Sequence, residues 1–319
     1  MNNRMTWIVG AVAAIAVMAI GTVVLTGNND DGPRIVRVGS FSVAIDYAPY
    51  LIARERGTLA DALAAEGYGV DYVTFQSLPP INEALATSNV DVVFEAAPPA
   101  IVGASADVPV RIVGIGASLQ QEILVSSNTD ITDPVGLRGR RIGVLAGTSS
   151  HYGLLNTLQE AGVADGDVEI FDLVPPDAQA AFDSGQIDAW AVWPPFVEQA
   201  IINGTGRVLT GGDAQIHSVV AMRSGFLDDD PAAARAVLNA IEETQVWMVA
   251  NPEEAQGIVA SVLDLDLEVV ALAWPKHDWS SEINAAFVAD VQSKADFLYD
   301  QGLIRSRLNV ESQLITPVE

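Results

Sequence analysis

The residues best suited to bind a small molecule form a short segment, GTSSHYGL, at positions 147–154. Its glycine, threonine and serines precede a run with helical periodicity, so Thr148, Ser149 and Ser150 are predicted at the start of a helix. The first amides of a helix are unpaired and carry the positive end of its dipole, which favours an anion. Ordinary helix capping would explain the same residues, and His151 could equally form a structural hydrogen bond or contact the ligand.

A second segment, residues 171–196, adds aromatic surface. Trp193 ends a predicted strand and is expected to face a cleft as a flat apolar wall. Trp190 lies three residues earlier, on the other face of the strand, where it is expected in the core. No Ser/His/Asp or paired-carboxylate pattern appears at convincing spacing, and the three histidines lack metal-site spacing. The sequence therefore predicts a binding protein rather than an enzyme, with no catalytic residue, metal or cofactor.

The amino-acid composition excludes several classes of function and of binding site. The chain has 319 residues, a formal net charge of −25 and no cysteine. The charge argues against nucleic-acid binding, and the lack of cysteine excludes disulfides, thiolate metal sites and a lipid-modified cysteine. The only lysines are Lys276 and Lys294. An acidic surface with few lysines is typical of proteins that work at high salt concentration, where charges are screened. A GC-rich genome that encodes a soluble surface would explain the same composition.

The amino terminus carries the clearest topological signal. Residues 7–25 contain no charge, follow Arg4 and precede Asp30 and Asp31. Such a run is long enough to cross a bilayer, and the flanking charges put the body of the chain outside. Because no convincing cleavage site follows it, we expect residues 1–33 to be an uncleaved membrane anchor and linker rather than a cleaved signal peptide.

The rest of the sequence predicts the scaffold that brings these residues together. Before Asp228, short β-rich runs alternate with amphipathic helices, which favours parallel α/β sheets. The predicted strands are residues 35–39, 70–75, 90–94, 110–115, 123–126, 141–145, 168–173, 187–192 and 219–222. The later segments 231–250, 252–263, 267–274 and 283–301 all read as helices that pack back on the first lobe. Prolines and serines at several predicted helix starts would place helix N-termini around one cleft, at the carboxyl ends of strands.

Four motifs carry a resemblance to a known family: GTSSHY at 147–152, PPDAQAAF at 175–182, GQIDAW at 185–190 and WPPF at 193–196. With their spacing they resemble the solute-binding proteins of ABC importers for aliphatic sulfonates, taurine and nitrate, with binders of thiamine precursors as relatives. The resemblance implies an α/β fold of the two-lobed, type II periplasmic-binding-protein kind, preceded here by the predicted transmembrane helix. The first lobe would hold residues 34–122 and 216–319 and the second residues 123–215. Two crossing strands, near 121–126 and 217–222, would join the lobes.

The resemblance also implies where a ligand would bind. Ser149 and Ser150 would hold sulfonate oxygens, and His217 resembles a histidine common at the second crossing of sulfonate binders. Pro194 stands where many taurine-type relatives carry an aspartate for an amine, which favours a ligand without a cationic end. Asp46 lies with other plausible contacts in the first strand–helix loop. The expected ligand contacts are Ser40, Phe41, Tyr47, Ser77, Glu95, Thr148, Ser149, Ser150, His151, Trp193 and His217.

The function implied by the resemblance is delivery of a small organic anion, above all an aliphatic sulfonate, to an ABC permease and its ATPase at the extracytoplasmic face of the cell membrane. Nitrate and a thiamine-precursor pyrimidine are alternative ligands. A sensor protein is an alternative to the permease as the partner. Dehydratases of menaquinone synthesis share the architecture and are the enzymatic alternative. The predicted membrane anchor argues against that alternative, because those enzymes work in the cytoplasm.

Overall fold

The structure, a computed structural model, describes residues 34–41, 43–75, 78–209, 214–280 and 282–316. The expected anchor at residues 7–25 and the expected ligand contact Ser77 lie outside these residues. In the described part of the chain, no helix is long and apolar enough to cross a bilayer. The described residues belong to one compact unit that contains two lobes, each built on a five-stranded sheet.

The first lobe is built on β1 (Arg34–Phe41), β2 (Tyr68–Phe75), β3 (Val92–Ala96), β4 (Val110–Gln120) and β10 (Gln215–Arg223). Their order in the sheet is β2-β1-β3-β10-β4. β1 pairs in parallel with β2 and β3, whereas β10 runs antiparallel between β3 and β4. Every residue of β3 is buried, as in a strand covered on both faces, so its end can form the floor of a site.

The second lobe is built on β5 (Glu122–Ser126), β6 (Arg141–Val144), β7 (Glu169–Asp172), β8 (Ala189–Val192) and β9 (Gly206–Leu209). Their order is β7-β6-β8-β5-β9, with β6 parallel to β7 and β8, and β5 antiparallel to β8 and β9. No predicted strand covers β9, because four residues beginning with glycine are too few to show an alternating pattern. Each sheet therefore contains one antiparallel strand, and that strand enters from the other lobe.

Among the described residues, Gln121 alone separates β4 of the first lobe from β5 of the second. β9 of the second lobe ends at Leu209, and β10 of the first lobe begins at Gln215. The sequence predicts crossing strands near 121–126 and 217–222, and β5 and β10 lie at these positions. The apolar run at 219–222 is the buried middle of β10.

Helices cover the sheets and make up most of the chain after β10. They are α1 (Ala48–Glu55), α2 (Thr58–Ala65), α3 (Leu78–Ala86), α4 (Ala97–Ser105), α5 (Ser149–Glu160), α6 (Pro175–Asp183), α7 (Phe196–Ile202), α8 (Ser224–Asp229), α9 (Pro231–Ala250), α10 (Pro252–Leu263), α11 (Leu267–Ala273), α12 (Ala285–Asp300) and α13 (Val310–Gln313). Proline begins α9 and α10 as the sequence predicts, since it lacks the amide that a first turn leaves unpaired. Both helices pack on α1, but α11 packs against α7 of the second lobe. The carboxyl-terminal helices thus contact both lobes and not the first alone.

Candidate functional site

A small cavity lies between the two lobes. Its volume is about 30 Å³, roughly twice the space that one water molecule needs. The residues that line it come from both lobes: Phe41, Ala44, Asp46, Tyr47, Ala96, Pro99, Thr148, Ser149, Trp193 and Ile216. Most of these side chains are apolar, and the polar ones are concentrated at the start of α5 and in the segment between β1 and α1. The lining therefore has the chemistry that suits a molecule with an apolar body and polar groups.

The amino terminus of α5 forms the second-lobe end of the cavity. Thr148 caps this helix, because its Oγ1 accepts a hydrogen bond from the amide of His151 at 3.3 Å. The same hydroxyl donates to the carbonyl of Leu145 at 2.6 Å, which fixes its orientation. Thr148 and Ser149 both line the cavity. The unpaired amides and positive dipole end of the helix make this the part of the cavity best suited to an anionic group.

Two further residues predicted from the same segment have other partners. Ser150 is fully buried, and its hydroxyl donates to Oε1 of Gln121 at 3.0 Å, in the first crossing between the lobes. Nδ1 of His151 accepts a hydrogen bond from the amide of Gly147 at 3.2 Å. Burial lowers the pKa of His151, which favours the neutral ring that this acceptor role requires. Neither residue is among those that line the cavity, and ligand contacts by both stay predictions.

Trp193 forms an aromatic wall of the cavity directly after β8. Its Nε1 donates a hydrogen bond of 2.9 Å to the carbonyl of Val43 in the first lobe. The ring packs edge-on against Phe41, with 5.7 Å between the ring centroids. Trp190 lies in the core near Phe182 and Phe196 and does not line the cavity. Trp193 therefore links the lobes as well as lining the cavity.

The first lobe contributes some of the predicted residues to the cavity and keeps others away from it. Phe41 and Tyr47 line it. Ser40 and Glu95 are buried but do not line it, although Ala96, the residue after Glu95, does. Successive residues of a strand point to opposite faces, which explains why neighbours in β1 and β3 have different surroundings.

His217 lies outside the cavity, against α12. Its Nδ1 is 2.7 Å from Oγ of Ser118, and its Nε2 is 2.9 Å from Oδ2 of Asp290. Its neighbour Ile216 lines the cavity instead. Residues 216 and 217 are consecutive in β10, so only one of them can face the cavity. A ligand contact by His217 therefore stays a prediction that this cavity does not support.

Two buried carboxyl groups dominate the electrostatics on the first-lobe side. Asp46 lines the cavity, and burial raises its pKa to about 7. Glu95 lies nearby in β3, and burial raises its pKa to about 8. Burial and these two carboxyls together raise the pKa of Tyr47 well above its usual value. Asp46 is a plausible contact from its place in the strand–helix loop beside Tyr47, and the structure places it in the lining of the cavity.

Comparison with known proteins assigns the chain to a family. A sequence profile of the NMT1-like family matches residues 30–263. The chain belongs to the NMT1-like family. This NMT1-like protein is 29% identical over 282 residues to a Bacillus subtilis protein named for binding aliphatic sulfonates, and the match covers 86% of this chain and 84% of the relative.

Solved structures of the same architecture are also similar to this NMT1-like protein. The periplasmic aliphatic sulphonate binding protein SsuA from Escherichia coli is 25% identical, with a TM-score of 0.78 over 89% of this chain and 98% of its own. The alkanesulfonate-binding protein SsuA from Xanthomonas axonopodis, solved with MOPS bound, is 22% identical, with a TM-score of 0.78 over 90% of this chain and 99% of its own. These comparisons confirm the expected family resemblance and the two-lobed α/β fold of periplasmic binding proteins.

Proposed function

We propose that this protein is the extracytoplasmic substrate-binding protein of an ABC importer and that it binds an aliphatic sulfonate in the cavity between its lobes. The proposal depends on one observation: the amino terminus of α5 and a wall of aromatic and aliphatic side chains line the same cavity. Thr148 and Ser149 lie at the polar end, and Phe41 and Trp193 lie along the wall. A sulfonate group fits hydroxyls and helix amides, and its alkyl chain fits apolar side chains.

The relatives support the class of activity. They are named as binding proteins, and two of the similar solved structures are sulfonate-binding proteins. Binding alone would then be the activity, without a chemical step on the ligand. The partners would be an ABC permease and its ATPase, which would recognise the closed form that the ligand favours.

The placement in the cell is part of the same proposal. The uncharged run at residues 7–25 would anchor the chain to the membrane, with the two lobes on the extracytoplasmic side. We further propose the lobe boundaries 34–122 with 216–319, and 123–215. The sheet membership of β4, β5 and β10 supports these boundaries to within one residue.

Calorimetric titration of the full chain tests the function. The probes are a series of alkanesulfonates with and without an amino group, nitrate, and a thiamine-precursor pyrimidine, with 1-propanol as a control that has the alkyl chain but no anion. We expect saturable binding of at least one sulfonate at one site per chain and none of propanol. If only nitrate or only the pyrimidine binds, that molecule and not a sulfonate is the ligand. If no probe binds, the proposed function is contradicted.

A further inference from the structure

A groove of about 650 Å³ lies on the first lobe, away from the cavity between the lobes. Its walls come from β4, β10, α9 and residues 279–283, and no residue lines both the groove and the cavity. A volume of this size can hold several side chains of a bound molecule. Because every residue of the lining belongs to one lobe, opening or closing of the lobes does not separate its walls.

One wall of the groove is an apolar stripe of α9. Leu238, Ile241, Val246 and Val249 lie in it, at the spacing of one helix face. Val246 is 72% exposed and Val249 is 60% exposed, the two largest fractions among the large apolar side chains that the structure describes. An exposed apolar patch with a polar rim is typical of an interaction site. Part of the apolar face of α9 is thus left uncovered by the described chain.

The rim of the groove is acidic. Glu242 on α9 and Glu282 on the opposite wall both line the groove and are exposed. None of the described residues in the lining is a lysine or an arginine. Charge complementarity therefore favours an occupant with cationic side chains. It disfavours a second copy of this chain, whose net charge is −25.

The floor of the groove is an uncovered edge of the first sheet. β4 is the last strand of that sheet. Ile112 pairs with Ile315, and Ser118 pairs with Asp278, so other segments cover the edge at both ends. No strand of the described chain covers this edge at residues 113–117. The distance between the two bridges is about 20 Å along a strand, which six or seven extended residues can span. An edge of this kind can pair with an added extended segment.

Two side chains show which polar groups such a segment would meet. Nε2 of Gln245 donates to the carbonyls of Ile115 at 3.0 Å and Gly116 at 2.9 Å, in the place of a neighbouring strand's amide. Trp279, on the opposite wall, is only 7% exposed, and its Nε1 has no hydrogen-bond acceptor among the described residues. A buried N–H without an acceptor is costly. A peptide carbonyl supplies the missing acceptor.

We propose that this groove binds an extended segment of a partner protein in which lysine or arginine alternates with aliphatic side chains. The aliphatic side chains cover Val246 and Val249, and the cationic ones pair with Glu242 and Glu282. The backbone of the segment pairs with the edge of β4. The inference does not depend on sulfonate binding, because no residue of the groove lines the cavity between the lobes.

Binding of synthetic peptides to the full native chain tests this chemistry. The probe is a fluorescently labelled acetyl-Lys-Val-Leu-Lys-Val-Leu-Lys-amide, measured by fluorescence anisotropy. One control peptide has serine in place of valine and leucine, and the other has glutamate in place of lysine. We expect one probe to bind per chain, at least about tenfold more tightly than either control. Equal binding of the serine peptide would mean that the probe is attracted only by the net charge of the chain, and would overturn the proposal.

Two pairs of variants test the place of binding. Val246→Lys adds a positive charge to the groove and removes an apolar contact, so it should weaken binding of the probe at least about tenfold. Its control is Val135→Lys, since Val135 is an exposed valine of the second lobe that does not line the groove. Glu242→Gln should weaken binding about threefold, the effect of one exposed ion pair. Glu243→Gln, at the exposed neighbouring position on α9 outside the groove, should keep the native affinity.

The outcomes separate this inference from the proposed function. All four positions are exposed, so thermal unfolding should change little in each variant. Native affinity for the probe in both Val246→Lys and Glu242→Gln would overturn the inference. Peptide affinity should be the same with and without the tightest-binding sulfonate, and competition between them would place the peptide in the cavity and overturn it too. If no sulfonate binds, the proposed function fails, and the peptide and variant measurements still decide this inference.

Discussion

At the scale of single residues, Ser149 is the side chain whose role in anion binding can be tested most directly. It is the first residue of α5, and it lines the cavity. An aspartate there would place a carboxylate at the positive end of the helix and repel an anionic ligand. We therefore expect Ser149→Asp to weaken binding of the preferred sulfonate at least tenfold in calorimetric titration, a loss of about 1.4 kcal/mol or more.

The controls for Ser149→Asp separate charge from folding. Aspartate is favourable in the first turn of a helix, so thermal unfolding of the variant should change little. Ala285→Asp makes a similar change at the exposed first residue of α12, which does not line the cavity, and should leave affinity unchanged. Native affinity in Ser149→Asp would mean that the α5 terminus is only a capped helix end and would refute the proposed anion site.

Single residues also show what the sequence can and cannot specify. The GTSS segment predicts the start of α5 correctly, because capping chemistry is local in sequence. Which of its two serines faces the cavity depends on Gln121, nearly thirty positions away, and no local pattern contains that information. The same limit applies to Ile216 and His217, where the pairing of β10 decides which side chain faces inward.

At the scale of elements, the contact between α5 and the first crossing positions the anion site. Gln121 receives a hydrogen bond from Ser150, and its Nε2 donates to the carbonyl of Val192 at the end of β8, at 3.0 Å. Gly153, one turn into α5, allows this close approach. A Cβ at position 153 would lie 3.0 Å from Cβ of Gln121 and closer still to its Cγ. The helix that carries Ser149 is thus held directly against the connection between the lobes.

This contact predicts an effect of a single methyl group. In Gly153→Ala, α5 must move away from Gln121, which displaces Ser149 from the cavity. We expect at least about tenfold weaker sulfonate binding by calorimetry. Gly257→Ala in α10 is the matched control, because nothing lies within 4 Å of the added Cβ and alanine favours a helix. Equal affinities of the two variants and the native chain would show that the α5 contact does not govern binding.

Elements differ in how far the sequence predicts them. The bounds predicted for α9 and α10 match the structure, because each helix begins at a proline and is long enough to show its period. The sequence does not predict β9. The reason is that so short a strand is defined by its partner, here by its pairing with β5.

At the scale of the whole molecule, Lys276 connects the lobes. Its Nζ is 2.6 Å from Oε2 of Glu122 at the start of β5 and 2.7 Å from Oε1 of Glu198 on α7. Burial raises the pKa of Glu198, and the lysine opposes that shift. Burial by itself would lower the pKa of Lys276, but the two carboxylates raise it overall. The described conformation therefore gathers two acidic groups of the second lobe around a lysine that follows α11.

Lys276→Gln should favour a more open arrangement of the lobes. Without the lysine, closure would leave Glu198 buried with no cation, and removing one partner of a buried ion pair costs several kcal/mol. Opening lets this carboxyl reach water. We expect small-angle scattering of the native chain to show a smaller radius of gyration at a saturating concentration of its preferred sulfonate. The ligand-free variant should have a larger radius than the ligand-free native chain, and its affinity should be about tenfold lower.

Arg138→Gln is the control for the lost charge, since Arg138 forms an exposed ion pair with Asp167 inside the second lobe. Its radius and affinity should match those of the native chain. High salt should change the native radius little, because the charges around Lys276 are largely buried and so weakly screened. If Lys276→Gln keeps both the native radius and the native affinity, the lysine does not control closure. The native chain could also bind its sulfonate tightly without becoming more compact. That result would show that the free form is already closed. Ligand selectivity would then depend on the cavity residues alone.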